Sequence, residues 1–111
     1  MSADPTVTNP DHYKVIFENN AVRVLEYKDG PGDITTPHAH PDSVMYTVSS
    51  FRRRLHHDGS HRDVELTSGI VGWLPAQQHH GENIGDTETH VIFVELKNSA
   101  TGGSALGPTL S

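Results

Sequence analysis

The apolar residues of the chain recur with a period of two. Residues 22–27 show this best, because their β-branched and aromatic side chains recur at every second position. Such alternation is typical of half-buried strands, and no segment shows a convincing 3.6-residue helical period. The predicted strands are 14–18, 22–27, the segment around His38 and His40, 44–48, 51–55, 62–66, 70–74, 79–83 and 89–96.

Turn-forming residues separate these strands. Asn19-Asn20 suits a tight turn because asparagine tolerates positive φ, and Asp58-Gly59 is the strongest hairpin signal in the chain. Pro75 ends the apolar run before it. Eight or nine short strands with frequent turns predict an all-β fold, either a small barrel or a sandwich.

The chain length predicts a single small domain with two flexible ends. Residues 1–10 are polar, contain two prolines and lack an apolar period, so we expect an extended or disordered arm. Residues 98–111 consist mainly of small and polar types and are expected to form a flexible tail. The predicted domain is therefore 11–97.

Composition narrows the classes of function. The net charge of -6 argues against general binding to nucleic acid or to an anionic membrane. No apolar run is long enough to cross a membrane, and no leader segment is evident. The absence of cysteine removes disulfides and thiolate chemistry, and it is compatible with the cytoplasmic location that we expect.

Histidine is the one residue type in clear excess, with nine copies. His38 and His40 are separated by one residue, so in an extended segment both imidazoles point to the same face. A third candidate follows at His79 or His80, after an apolar run that contains Gly and Pro. Neutral imidazoles in this arrangement suit Fe, Zn, Cu, Ni or Mn.

The residues around these histidines resemble the paired motifs of the cupin superfamily. The first cupin motif runs Gly, five residues, His-x-His, and the second runs Gly, five residues, Pro, a short spacer, His, three residues, Asn. The matching residues are Gly32, His38, His40, Gly69, Pro75, His79 and Asn83, with the spacer one residue short. The resemblance covers residues 12–97, and the wider sequence is similar to single-domain cupins named β-alanine degradation protein-like.

This resemblance implies a small cupin β-barrel, also called a double-stranded β-helix or jelly roll, that binds one divalent transition metal. The spacing to Asn83 favours His79 over His80 as the third metal ligand. Small cupins are commonly homodimers. Association is also reasonable because a chain of this size has a small hydrophobic core and can bury more apolar surface in an interface. We therefore expect a homodimer, with Trp73 packing either the barrel or a sheet-to-sheet interface.

The glutamate of the first cupin motif is missing. Three or four residues after His40 the chain has Val44 or Met45. Strand parity favours Val44 inward, together with Tyr46 and Val48. A sulfur ligand from Met45, which would favour copper, needs the opposite parity. The predicted site is thus His38, His40 and His79, with positions open for an anionic substrate plus O₂ on iron, or for water on zinc.

Other side chains are weaker candidates. Tyr46 and His90 could reach the pocket as catalytic groups, although a packed core tyrosine is an equally good interpretation of Tyr46. Arg53 could bind a substrate carboxylate if it points inward. However, three consecutive arginines such as Arg52-Arg53-Arg54 more often lie on a solvated strand or on an interface strand. Glu82 could be a base or an extra ligand, although an exposed carboxylate is the more common interpretation.

We expect a metalloenzyme that binds Fe(II) and carries out O₂-dependent oxidation of a small organic acid or enol(ate). An alternative keeps the site but uses Zn or Ni as a Lewis acid for isomerisation, cyclisation or decarboxylation. A second alternative is a metal- or ligand-binding module without turnover. The few acid–base candidates near the histidines favour redox chemistry or binding.

Overall fold

The structure is built almost entirely from strands. The computed structural model describes residues 4–97, so the predicted tail at 98–111 lies outside the described residues. The elements are α1 (Pro5–Thr8), β1 (Tyr13–Glu18), β2 (Val22–Asp29), β3 (His38–His40), β4 (Ser43–Thr47), β5 (Phe51–His57), β6 (Ser60–Leu66), β7 (Val71–Leu74), β8 (Gln77–Asn83) and β9 (Thr89–Leu96). The all-β prediction is confirmed. Across residues 4–97, no helix is long and apolar enough to cross a membrane.

The strands form two antiparallel sheets. The five-stranded sheet has the order β1-β2-β9-β4-β7, and the four-stranded sheet has the order β3-β8-β5-β6. The longest pairing joins β2 to β9, in register from Val22–Leu96 to Asp29–Thr89. Because these two strands are far apart in sequence, closing the sheet depends on contacts that no local pattern encodes.

The core lies between the inner faces of the two sheets. Strand β9 shows the alternation most clearly, since every second residue from Thr89 is buried and the residues between are half-buried. The buried apolar residues are Tyr13, Leu25, Tyr27, Phe51, Val91 and Phe93. Burying a large apolar side chain is worth about 1.5–3 kcal/mol, so this small set contributes much of the stability.

Two turns show different solutions to chain reversal. Asp58 and Gly59 both have positive φ, 49° and 75°, as a tight hairpin between β5 and β6 requires. The turn after β1 is stabilised by a side chain instead. The side-chain oxygen of Asn19 accepts hydrogen bonds from the N–H groups of Ala21 and Val22. Among the described residues, only Asp58 combines a side chain with positive φ.

Residues 4–10 include a short helix and buried contacts, whereas an extended or disordered arm was predicted for residues 1–10, of which residues 1–3 lie outside the described residues. Asp4 caps helix α1 and forms a 2.7 Å ion pair with Arg23 on β2. Asn9 is buried, and its side chain bonds both the N–H and the carbonyl of Thr36. A four-residue helix is too short to show an apolar period, which is why the pattern did not predict it.

A buried polar network links the two sheets. Arg53 points inward from β5, and its Nη1 donates to the Asp29 carboxylate at 2.6 Å and to Thr89 Oγ1 at 3.2 Å. Asp29 also accepts from the hydroxyl of Tyr27 and, at 3.1 Å, from the amide of Asn83. Since these groups come from β2, β9, β5 and β8, the network fixes the sheets relative to each other.

Gly81 on β8 makes room for this arginine. A Cβ atom at position 81 would lie only 2.6 Å from Nη2 of Arg53. Any larger residue would therefore displace the guanidinium from its carboxylate.

We predict that Arg53→Met destabilises the fold by about 3–5 kcal/mol, because it leaves the Asp29 carboxylate buried without its cation. The free energy of unfolding in urea measures this loss. Arg54→Met is the matched control, since Arg54 is the next residue on β5 but pairs with Asp63 on the exposed face, where an ion pair contributes little. Equal losses in the two variants would contradict the role assigned to the network.

Candidate metal centre

Three imidazole rings meet where β3 pairs with β8. His38 and His40 share a face of β3, and His79 lies directly opposite His38 in the register of the two strands. Ligand nitrogens of the three side chains lie within 4.8 Å of one another. Within residues 4–97, no other three His, Asp or Glu side chains converge in this way. The structure thus brings together the three predicted metal ligands.

The hydrogen bonds of His38 and His79 determine which nitrogen faces the centre. Nδ1 of His38 donates to the carbonyl of Thr36 at 2.7 Å. Nδ1 of His79 donates to Oε1 of Gln77 at 2.7 Å, and the Gln77 amide is oriented by its own bond to the carbonyl of Pro75. With the proton on Nδ1, each ring keeps an unprotonated Nε2.

His40 is oriented by a carboxylate. Its Nδ1 lies 3.4 Å from Oε2 of Glu95, a buried residue on β9. The other oxygen of Glu95 accepts from Arg23, with N–O distances of 2.8–2.9 Å. Metal-binding histidines commonly donate their second N–H to a carboxylate or carbonyl in this way. Glu95 therefore orients a candidate ligand, and no motif in the sequence indicated this role.

The donor set fits a divalent transition metal. Three neutral imidazoles supply three nitrogen ligands, and their second nitrogens are all bound to acceptors, as metal sites require. Among the side chains of residues 4–97, no carboxylate joins the three histidines in this cluster. The charge of a bound M²⁺ ion would therefore not be balanced by its protein ligands, which favours an anionic ligand at an open position.

Tyr13 is a further polar group at the centre. Its hydroxyl lies 3.3 Å from Nε2 of His38 and 3.3 Å from Nε2 of His40. Burial raises the pKa of this hydroxyl above the ordinary tyrosine value. Sequence reasoning missed Tyr13, since a tyrosine at the start of an apolar strand is usually a core residue.

A cavity of about 180 Å³ adjoins the histidines. His38 and His79 lie at its wall, and most of the remaining lining is apolar. The apolar lining residues include Met45, Phe51, Leu55, Val64, Leu66, Leu74, Val91 and Phe93. The volume is below the range of roughly 300–1,000 Å³ typical for drug-sized ligands, so the cavity suits a small molecule.

The parity predicted for β4 was wrong. Met45 lines the cavity, while Ser43 and Thr47 on the same face are fully buried. Both hydroxyls find acceptors inside the domain: Ser43 donates to the carbonyl of Pro41 and Thr47 to that of Thr67. Because their polar groups are satisfied, these residues can face inward. Val44 consequently lies on the outer face and does not replace the missing glutamate.

This parity also moves Tyr46 away from the cavity. Tyr46 is 44% exposed on the outer face, so the structure does not place its hydroxyl near the histidines. His90 is likewise on the outer face of β9, where Nε2 contacts Glu26 at 2.8 Å. It faces outward because its neighbour Val91 occupies the inner face. Neither predicted catalytic residue lines the cavity.

Arg53 lines the cavity, but its charge is compensated. Its guanidinium pairs with Asp29 as described above, so binding of a substrate carboxylate by Arg53 stays a prediction. His80 and Glu82 face away from the centre: His80 stacks on His56 at 4.6 Å, and Glu82 lies 3.9 Å from His56. The structure thus separates His79 from His80 as the spacing predicted.

The remaining motif residues shape the backbone around the ligands. Gly32 and Gly69 have φ values of 87° and 84°, which side-chain-bearing residues rarely adopt. Asn83 is fully buried, donates to the carbonyl of Thr87 and accepts from the N–H of Gly85. It therefore holds the turn that follows β8.

Comparison with solved structures identifies the fold. A cupin domain from Bordetella pertussis Tohama I superposes with a TM-score of 0.72 at 28% identity, covering 77% of this chain and 91% of that one. The chain has the fold of a small cupin. No protein-family model and no curated protein matches it.

Two further cupin-like structures are similar. A protein with a double-stranded β-helix domain from Klebsiella pneumoniae has a TM-score of 0.60 at 24% identity, covering 78% of this chain and 76% of that one. A predicted oxalate decarboxylase from Thermotoga maritima has a TM-score of 0.53 at 22% identity, with coverages of 76% and 77%. These likenesses support the cupin fold, while the β-alanine degradation-like subgroup stays a prediction.

We predict that the metal-free cupin loses stability as the pH falls below about 6.5. Burial lowers the pKa of His38 to about 4 and that of His79 to about 3, whereas both titrate near 6.5 when unfolded. The unfolded state therefore takes up protons first, and each histidine costs about 2 kcal/mol between pH 7.5 and pH 5. Urea unfolding with a chelator present measures this change.

His79→Gln should reduce the pH dependence by the contribution of His79, because the variant lacks this buried neutral imidazole. His61→Gln, on the exposed hairpin strand, is the control for loss of a histidine outside the cluster. A pH dependence that is identical in the wild type and in His79→Gln would contradict a buried neutral His79.

Proposed function

We propose that this cupin is a non-haem metalloenzyme that binds Fe(II) through His38, His40 and His79 and oxidises a small organic acid or enol(ate) with O₂. The observation that carries the proposal is the set of Nδ1 hydrogen bonds, which leaves three Nε2 lone pairs directed at one centre. When bound, the metal would supply the redox chemistry that O₂ needs.

The charges around the cavity favour metal-centred redox chemistry over proton transfer. Two carboxylates are buried here: Glu95 contacts His40, and Asp29 contacts Arg53 at the cavity wall. Each is already paired with an arginine, Asp29 with Arg53 and Glu95 with Arg23. A carboxylate held in an ion pair is a weak general base.

The shape and polarity of the cavity support a substrate with one polar end. His38, His79 and Tyr13 belong to the polar part of the lining, together with Thr35, Arg53 and Thr89, and the rest of the lining is mainly apolar, with residues such as Leu66 and Leu74. An anionic oxygen would bind at the centre, while an uncharged carbon chain would fill the remainder and exclude water. A small carboxylate or enolate has this form.

We predict that the protein, purified without added metal and reconstituted anaerobically, takes up one Fe(II) per chain. Elemental analysis measures the metal, and an oxygen electrode measures O₂ consumption with a panel of small 2-oxo and hydroxy acids. His79→Gln should lose most of the bound iron because it removes one of three ligands. His80→Gln is the matched control and should retain the iron, since His80 faces outward.

Zinc bound tightly at the site with no O₂ consumption would contradict the oxidation and favour the Lewis-acid alternative. Full metal binding without turnover of any acid would favour the binding module. Iron retained by His79→Gln and lost by His80→Gln would contradict the site itself.

We also propose that the protein is a homodimer formed through the outer face of the five-stranded sheet. Two cross-strand rows on this face are largely apolar and follow the strand registers. The first row contains Phe17, Val24, Val94, Val44 and Trp73. The second row contains Lys14, Glu26, Ile92, Tyr46 and Val71. A face of this width, about 20 Å for five strands, is unusual for a monomer surface, and it can pair with the same face of a second copy.

Trp73→Lys is predicted to convert the dimer to a monomer, because Trp73 is 56% exposed at the edge of this face and a lysine there would be desolvated in the interface. Light scattering coupled to size-exclusion chromatography measures the mass. Ile34→Lys is the control: Ile34 is 60% exposed but bridges to β8, outside the sheet concerned. A monomeric wild type, or dissociation by both variants, would contradict the interface.

A further inference from the structure

The hydroxyl of Tyr13 hydrogen-bonds to two nitrogens that a bound metal would coordinate. Within residues 4–97, its hydrogen-bond partners are Nε2 of His38 and Nε2 of His40, each at 3.3 Å. Both nitrogens are the unprotonated ones, because their rings hold the proton on Nδ1. In the metal-free protein, Tyr13 therefore donates into the centre of the site.

Metal binding would remove these acceptors. A coordinated Nε2 has no lone pair left to accept a hydrogen bond. The ring of Tyr13 is held by packing, 4.6 Å from the ring of Tyr27 and 6.2 Å from that of Phe93, so the hydroxyl is fixed beside the centre. A buried donor without an acceptor is costly. The hydroxyl thus needs a new acceptor located at the metal.

We propose that Tyr13 is the hydrogen-bond donor to the anionic oxygen of a carboxylate or enolate that occupies the open position of the metal. This inference rests on the proposed function, since it requires a metal held by His38, His40 and His79. It assigns a catalytic role to a residue of β1, outside both cupin motifs. Tyr13 would also contribute to ligand specificity, because only a ligand that accepts a hydrogen bond satisfies the buried hydroxyl.

The charges around the site agree with this role. The three metal ligands are neutral, so the bound ion attracts an anion, and the arginine on the cavity wall is neutralised by Asp29. Tyr13 is then an uncharged donor that lies 3.3 Å from Nε2 of both His38 and His40. It can fix the orientation of a bound anion without adding charge.

The test uses the full chain loaded with Co(II), whose visible spectrum reports ligands at the open position. Azide and acetate are titrated into the wild type and into Tyr13→Phe, which keeps the packed ring and removes only the hydroxyl. We expect the Kd of both anions to rise about tenfold or more, as for loss of a hydrogen bond to a charged group. The affinity for Co(II) itself should not fall, because Tyr13→Phe removes a donor that competes with the metal for the two Nε2 atoms and removes no ligand.

Tyr46→Phe is the matched control, because it removes a tyrosine hydroxyl from the outer face and should leave both anion affinities unchanged. Anion affinities in Tyr13→Phe equal to those of the wild type would overturn the inference. A large loss of Co(II) affinity in Tyr13→Phe, together with a phenolate-to-metal absorption band in the wild-type Cu(II) protein, would also overturn it, since Tyr13 would then be a ligand.

The two proposals fail in different ways. If Co(II) does not bind, or binds equally well to His79→Gln, the metal centre is wrong and the role of Tyr13 fails with it. If Co(II) binding depends on His79 but the anions do not respond to Tyr13→Phe, the metal centre stands and only the role of Tyr13 is rejected.

Discussion

The candidate site depends on the hydrogen bonds that hold the three imidazoles by Nδ1. Thr36, Gln77 and Glu95 supply the acceptors, each from a different segment of the chain. Without them, the rings could rotate or change tautomer, and their Nε2 atoms would not share a centre. Burial acts in the same direction, because it keeps His38 and His79 neutral. The protein is therefore organised to offer three lone pairs before any ligand binds.

Two ion pairs make this arrangement compatible with a small core. Arg53 neutralises Asp29, and Arg23 neutralises Glu95, so each buried carboxylate can carry out a structural task. Asp29 joins the sheets, while Glu95 orients His40. Because a buried charge without a partner is expensive, each arginine is as necessary as the carboxylate that it binds. Because both carboxylates are held in ion pairs, neither is a good general base. The ion pairs that stabilise the fold therefore also limit the acid–base chemistry available to the proposed site.

The distribution of polar and apolar residues on β4 is inverted relative to a simple barrel. Ser43 and Thr47 face inward because their hydroxyls bond to backbone carbonyls, whereas Val44 and Tyr46 face outward. On an isolated domain this would expose apolar surface without benefit. It is reasonable if the outer face of the five-stranded sheet is itself covered, and the proposed dimer follows from the same feature that made the predicted parity wrong.

The sequence by itself predicted the strands, the hairpin at Asp58-Gly59 and the candidate ligands His38 and His40, because period-two alternation, turn chemistry and i, i+2 spacing are local properties. The resemblance to the second cupin motif added His79. Only the tertiary structure decided the rest. The roles of Tyr13 and Glu95 arise from contacts between segments that are distant in sequence, since Tyr13 meets His38 and His40 and Glu95 meets His40. The outward positions of Tyr46 and His90 depend on which face the sheets bury. Such choices are made by packing and by hydrogen bonds between distant segments, and no local pattern encodes them.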